Sequence, residues 1–215
     1  MIPKARKQAT RVSSVPRRRG ALDQVLITTA MDLFASYGYR GTSLARIARA
    51  AGVTKGALYW HFADKEQFFL AVADRVLREW SDAIVQLKKA TTIDEFHAEF
   101  MELFNLSAVL NEKNPWVSRL LLIITLESHK ISPRVLRAMR RANDAQFQNL
   151  RQVVARGQDL GALDRELDVE WASTQIWASM IGLQLLWYLH GPRFDLKRSF
   201  RRQARELLRL WGSEK

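Results

Sequence analysis

The chain has 215 residues, long enough for one domain or two small ones with a sizeable core. It contains no cysteine, which excludes disulfides and thiolate metal sites and fits a reducing cytoplasm. The net charge is +12, and residues 1–65 carry +9 of it, with twelve Lys/Arg against three Asp/Glu; a basic end on a nearly balanced body points to a polyanion-binding module joined to an ordinary globular part.

Residues 1–20 form the first segment. They hold Lys4, Arg6, Lys7, Arg11, Arg17, Arg18 and Arg19, two prolines and no acid. So little apolar surface cannot offset the entropy of ordering, so a disordered tail is expected. It is either an arm for DNA or a solubilising extension. No apolar stretch of a secretory signal follows it. A first helix is predicted over Leu22–Tyr37, with Leu22, Leu26, Ala30, Leu33 and Phe34 as its apolar stripe and Gly38 as its stop.

Thr42 to Lys65 is the most informative stretch. Thr42 or Ser43 can cap a short helix in which Ile47, Ala48 and Ala51 share one face. Gly52 permits the left-handed turn that ends it, and Val53 plugs that turn. Thr54 caps a second short helix whose Leu58 and Phe62 face inward. Two such helices around a glycine-bearing turn predict a helix-turn-helix, with the second helix entering the major groove by its N-terminal end. Lys55 can donate to guanine or phosphate, and Gly56 and Ala57 allow close approach. Tyr59, Trp60 and His61 lie on its outer sides, where Tyr59 and His61 offer polar tips to phosphates. Lys65 stands in the first turn of the next helix, beside open backbone N–H groups that attract an anion. The predicted DNA-contacting set is Thr42, Ser43, Thr54, Lys55, Gly56, Ala57, Tyr59, Trp60, His61 and Lys65.

Ala51-Gly-Val-Thr-Lys-Gly-Ala-Leu-Tyr-Trp-His-Phe62, followed by Asp64-Lys-Glu-Gln-Phe-Phe69, resembles the signature of TetR-family transcriptional repressors. Within that family it is most similar to the branch that controls multidrug efflux pumps. The resemblance covers about residues 22–70, including the Gly38-Tyr-Arg-Gly-Thr-Ser43 link. It implies an all-α fold, with a three-helix DNA-binding domain followed by a helical ligand-binding and dimerisation domain. The expected divisions are a tail over 1–20, the helix-turn-helix domain over 21–66, and the second domain over 67–215. The family's tail is usually shorter, so a role for this one is not carried over.

In the body, Asp64 and Gln67 form a capping box for a fourth helix reaching about Lys89, with Phe68, Phe69, Val72, Val76, Trp80, Ile84 and Leu87 on its apolar side. Thr92 and Glu95 form another box, opening a helix through Phe96, Phe100, Leu103, Phe104 and Leu110. Asn114-Pro115 begins the next, and Ser132-Pro133 another that runs to Gly157 or Gly161. Asp168 caps a helix without Asp, Glu, Lys or Arg from Trp171 to Leu189; Gly191-Pro192 stops it, and Asp195 caps the last. Ser173, Thr174, Gln175, Ser179 and Gln184 interrupt the uncharged run, so it reads as a helix buried by protein and not as a membrane span. Alternation at period two never persists, so no strand is expected.

Catalytic and metal patterns are missing from the sequence. His61, His97, His129 and His190 lie in no metal spacing, and Glu127, Ser128 and His129 are helix neighbours that point apart. No metal and no cofactor is expected, and the chain reads as no enzyme. Ala178-x-x-x-Gly182 permits close helix packing, so the last two helices are the expected interface of a homodimer, through Ala178, Gly182, Leu185, Phe200, Leu207 and Trp211. In the resembled family such helices pair as a four-helix bundle. The resemblance also implies a cavity for a small-molecule inducer, for which Phe100, Phe104, Trp116, Leu120, Ile123, Glu127, Phe147 and Trp177 are candidates. Glu127 continues the Trp116–Leu120–Ile123 face, where it can pair with a cationic ligand or with an arginine such as Arg134 or Arg137. The expectation is a cytoplasmic regulator, not bound to membrane, that meets a double-stranded DNA operator as a dimer. The alternative is an architectural DNA-binding protein without an inducer.

Overall fold

The computed structural model describes residues 15–85, 87–113, 115, 122, 126 and 131–213, with the backbone alone for residues 15–24, 61, 76, 79–80, 83, 85 and 192. Among the described residues it is all-α. The helices are α1 (Val15–Tyr37), α2 (Leu44–Ala50), α3 (Lys55–His61), α4 (Lys65–Val85), α5 (Ile93–Lys113), α6 (Pro133–Asp159), α7 (Val169–His190) and α8 (Leu196–Trp211), with a 3-10 turn at Gly191–Arg193 before the last. Extended pairing among the described residues is confined to one bridge, between Leu163 and Gly212. The expected helix over Asn114 onward falls largely outside the described residues.

Local chemistry accounts for most helix ends. Ser43, Thr54, Ser132, Asp168 and Asp195 each accept a hydrogen bond from a first-turn N–H of the helix they precede. Both capping boxes form, with one difference from the usual pattern. Gln67 accepts from Ala63 N–H at 2.8 Å, and Glu95 accepts from Thr91 N–H at 2.9 Å. Each side chain thus reaches one residue beyond the cap and ties down the approaching chain. Lys88 also donates to Glu95 at 2.6 Å. The Lys88 bond, helped by the two from Thr91, holds the Glu95 carboxyl at about 2, below its ordinary range.

One expectation about the elements is corrected, and two that were left open between neighbouring residues are decided. α1 begins at Val15, ahead of Leu22, so residues 15–20 of the expected disordered tail are helical; Pro16 suits a first turn and Arg17–Arg19 are good helix formers. Thr42 does not cap α2. It is buried, and its hydroxyl donates to the carbonyls of Gly38 at 2.9 Å and Leu33 at 3.1 Å, pinning the α1–α2 turn. Gly157 lies inside α6, which ends before Gly161 at φ +72°. A methyl group at Gly157 would fall 2.7 Å from Leu163 and against the Phe96 ring, so glycine is needed there for helix contact.

Two hydrophobic cores result. The first joins Leu26, Ala30 and Phe34 of α1, Ile47 and Ala48 of α2, Leu58 of α3, and Phe68, Phe69 and Val72 of α4. Val135 of α6 belongs to it as well, with Leu110, Ile131 and Met139 packed alongside. The second core joins Phe96, Phe100, Leu103 and Phe104 of α5 to α6, α7 and α8. Ile84 of α4 packs against both.

One buried ion pair crosses the second core's edge. Glu99 of α5 accepts two bonds from the Arg156 guanidinium of α6, one of them at 3.2 Å, and a third from Ala90 N–H at 2.9 Å. The Glu99 side chain is 3% exposed and that of Arg156 is 21% exposed. Removing one partner from such a pair leaves a charge with neither water nor counter-ion. Arg156→Ala is therefore expected to cost about 3 kcal/mol of stability in urea unfolding; a loss below about 1 kcal/mol would show that water reaches Glu99.

Candidate nucleic-acid interface

α3 is seven residues long, too short to be helical alone, and it is held from two sides. Thr54 Oγ1 accepts from Ala57 N–H at 3.2 Å at its start. Leu58 is fully buried in the first core, and the Phe62 and Phe68 rings meet edge to face at 4.6 Å. Before it, Gly52 takes φ +68° and its N–H closes the α2 end on Arg49 O at 3.2 Å. Gly52 has open space where a Cβ would sit, so its glycine is required by conformation alone.

Burying Leu58 leaves the opposite side of α3 facing out. Thr54, Lys55, Gly56, Tyr59 and Trp60 are exposed, Trp60 at 70%, and Ala57 is half-buried. A Cβ on Gly56 would meet no atom within 4 Å, which leaves the backbone there open to a close partner. The Lys55 ammonium lies 5.4 Å from the Tyr59 ring centroid. Ser43, at the start of α2, is exposed and its Oγ accepts from Arg46 N–H at 3.1 Å. Of the ten predicted residues, Thr42 is turned inward, and the side chain of His61 lies outside the described residues.

Lys65 is placed differently from the rest. Its ammonium sits 4.1 Å from the centre of the Tyr39 ring, and the partial burial lowers its pKa from the ordinary lysine value. Tyr39 in turn stacks on the first core through Phe34 and Phe69. Burial raises the Tyr39 phenol, with smaller contributions from Glu66 and Asp64. Sequence reasoning missed this support, and it missed Arg46, whose guanidinium lies 3.6 Å from the Tyr37 ring centroid. Both pairs join residues from different elements. The only signal in the sequence is a cluster of tyrosines and cations flanking the turn.

The surface is thus basic, aromatic and built on a glycine turn between two short helices. Residues 26–72 match the family model described as bacterial regulatory proteins of the tetR family, and residues 118–211 match that of the BetI-type transcriptional repressor C-terminal region. The chain belongs to the TetR family. It is 27% identical over 197 residues to the probable acrEF/envCD operon repressor of Escherichia coli strain K12, covering 87% of this chain and 86% of that one. The HTH-type transcriptional regulator AcrR of Shigella flexneri is 52% identical over 46 residues, about a fifth of either chain. The solved SmeT–triclosan complex has the same fold, with a TM-score of 0.76 and 21% identity over 90% of this chain and 93% of that one. This TetR-family chain is a DNA-binding transcriptional regulator and not an enzyme. The match of the body to a BetI-type model was not legible from its helix pattern.

The other predicted sites are less uniform. Phe100 and Phe104 are fully buried and pack on one another and on Phe96 and Phe200. Phe147 and Trp177 are half-buried and meet at 6.4 Å, with Trp177 Nε1 donating to Asn143 at 3.1 Å. Trp116, Leu120, Ile123 and Glu127 lie outside the described residues. Phe200, Leu207 and Trp211, expected at a dimer interface, are instead buried in the second core of their own chain. α8 is strongly amphipathic, so its one apolar side is consumed within the protomer. Ala178 and Leu185 are exposed on α7, and a Cβ on Gly182 would meet open space.

Lys65→Ala is expected to weaken binding to every DNA sequence and to lower the salt slope of log K by about one counterion. Tyr59→Phe should weaken it without changing that slope, since it removes a hydroxyl and no charge. Fluorescence anisotropy across a salt series measures both. Unaltered affinity and slope in Lys65→Ala would place phosphate elsewhere.

Proposed function

We propose that the protein is a homodimeric repressor that holds a pseudo-palindromic operator and leaves it when a small, largely apolar ligand binds the body. The observation that carries this reading is the outward face of α3, Lys55, Gly56, Tyr59 and Trp60, held in place by the burial of Leu58 on the other side. Residues 21–66 would serve as the reading head and residues 67–215 as the ligand-binding and dimerising part. A two-fold pair would set two α3 helices in successive major-groove turns, roughly 34 Å apart. Ligand would favour a spacing that does not suit the operator, and its power to release is bounded by its differential affinity for the two forms.

Dimerisation is supported by α7. Trp171, Ala178, Gly182, Leu185 and Leu189 recur at spacings of seven, four, three and four, which is one helical stripe. Trp171, Leu185 and Leu189 are exposed, Leu189 at 65%, and the stripe carries no charge. The second stripe of the same helix, Ile176 and Met180, faces its own core. A helix apolar on two sides needs a second cover, and another copy of α7 offers a self-complementary one. Efflux control is supported by the names of two relatives, AcrR and the probable acrEF/envCD operon repressor. Among the described residues no helix is long and apolar enough to cross a membrane, and no cluster of His, Asp or Glu could hold a metal ion.

DNA fragments retained by the purified protein, once sequenced, supply the operator. At fixed salt that operator should be favoured over random duplex by about a thousandfold or more. Equal competition by random DNA would instead mean an architectural protein. Gly182→Glu should give monomers by light scattering and weaken operator binding, because a charge would be buried at the centre of the stripe. A dimer that persists in this variant moves the interface off α7.

A further inference from the structure

The last helix carries a strip of charge that the body does not use. α8 turns Leu196, Phe200, Ala204, Leu207 and Trp211 into the second core. Its opposite side presents Arg198, Arg201, Arg202, Arg205 and Arg209, all exposed. Successive members stand three, one, three and four residues apart, which places them on one side of a helix. From Arg198 to Arg209 the strip is about 16 Å long at the helical rise. The core residues beneath, and the Asp195 cap at 2.8 Å from Arg198 N, hold it in a fixed geometry.

Nothing local accounts for this charge. Arg209 pairs with Glu206 at 3.1 Å, but Arg198, Arg201, Arg202 and Arg205 meet no carboxylate among the described residues. Glu206 is the only acid within α8. On α6, by contrast, Arg151 and Arg156 are each matched by a carboxylate of another helix. Like charges three and four residues apart on a helix repel. Lys197 and Arg198 stand in the first turn, where the open N–H groups are already positive, and no acid shares that turn. The strip thus works against the helix that carries it, on a helix otherwise capped and packed. Such a local conflict is suited to a partner that supplies the missing negative charge.

We propose that this strip is a second surface for duplex DNA, one that reads no sequence and holds a stretch other than the one under α3. The chemistry selects the partner. A guanidinium offers a planar fork of donors that matches phosphate. Each strand of a duplex places a phosphate at about every 3.4 Å of its axis, so the strip faces about five of them. Contacts to phosphate carry no base information. A bilayer does not fit, because α8 would have to insert an apolar side that its own core already holds. The reading surface rests on the first core and α8 on the second, so the two surfaces belong to different parts of the fold. A protein seated by α3 therefore joins two stretches of DNA. Where both lie on one molecule, the second is present at a high effective concentration. This goes beyond operator binding and does not depend on release by a ligand.

The test uses the full-length protein and two random-sequence duplexes that carry different fluorophores. Cross-correlation of the dyes reports joining, and anisotropy of one duplex alone reports affinity. Wild type is expected to make the two duplexes diffuse together at low salt. In the variant with Arg198→Gln, Arg201→Gln, Arg202→Gln and Arg205→Gln the joined fraction should fall by about tenfold or more, while affinity for one duplex changes by less than about threefold. Its thermal midpoint should be unchanged or higher, because repelling charges are removed. Arg201→Gln with Arg205→Gln, the second variant, should lower the salt slope of joining by about two counterions. Joining that survives both variants overturns the proposal, since the basic N-terminal residues or the two α3 helices of a dimer would then carry it. So does an absence of joining by wild type. Polyglutamate that disperses the joined duplexes at a lower charge concentration than random DNA would make the partner an acidic protein. A changed oligomeric state of the variant by light scattering would make the strip a contact between copies. Either result also overturns the proposal.

Discussion

The burial of Leu58 is the contact on which the reading surface depends. A seven-residue helix cannot maintain itself in water, because its few hydrogen bonds do not offset the cost of nucleation. α3 is helical because Thr54 caps it and because Leu58 enters a core built by Phe34, Phe68 and Phe69 of the longer α1 and α4. With that one side chain fixed inward, Lys55, Gly56, Tyr59 and Trp60 have no choice but to face out. The aromatic residues around it extend the same logic to Lys65, which Tyr39 holds from the edge of the same core.

That core is not confined to the first helices. Val135 is fully buried in it, although it begins the long α6 of the body, and Leu110 from the end of α5 packs nearby. α4 serves both halves, with Phe68 and Phe69 in the first core and Ile84 touching both. Close-packed interiors pass a displacement on instead of absorbing it. A shift of α6 against α5 would therefore be felt under α3. The Glu99–Arg156 pair lies at the far end of the same two helices and fastens Ala90 of the α4–α5 connection to them.

Much of the fold was legible in the chain's punctuation. Ser or Thr followed by a short apolar period, then a glycine, then another threonine, defines α2, the turn and α3, because capping and left-handed backbone are local properties. The same holds for Asp168, Asp195 and Ser132. Contacts between elements were less legible. Thr42 looked like a cap by type, but the α1–α2 turn delivers its hydroxyl to Leu33 O and Gly38 O. Gly157 looked like a helix stop, but it is a helix interior residue with Phe96 and Leu163 where a side chain would be.

Residues 15–20 and the largely undescribed stretch after Asn114 aside, the sequence by itself determined which described segments are helical, which side of most is apolar, and that the basic charge gathers at the end that carries the glycine turn. It could do so because those are properties of spacing and of single residue types. Only the tertiary structure decided which apolar sides are consumed within the protomer. Phe200, Leu207 and Trp211 go to their own core, and Leu185 and Leu189 remain on the surface. It also decided that Gln146 and Gln184 are buried residues. The physical reason is the same for both: a residue's type states what it would prefer to touch, but the registers of neighbouring helices decide what it meets.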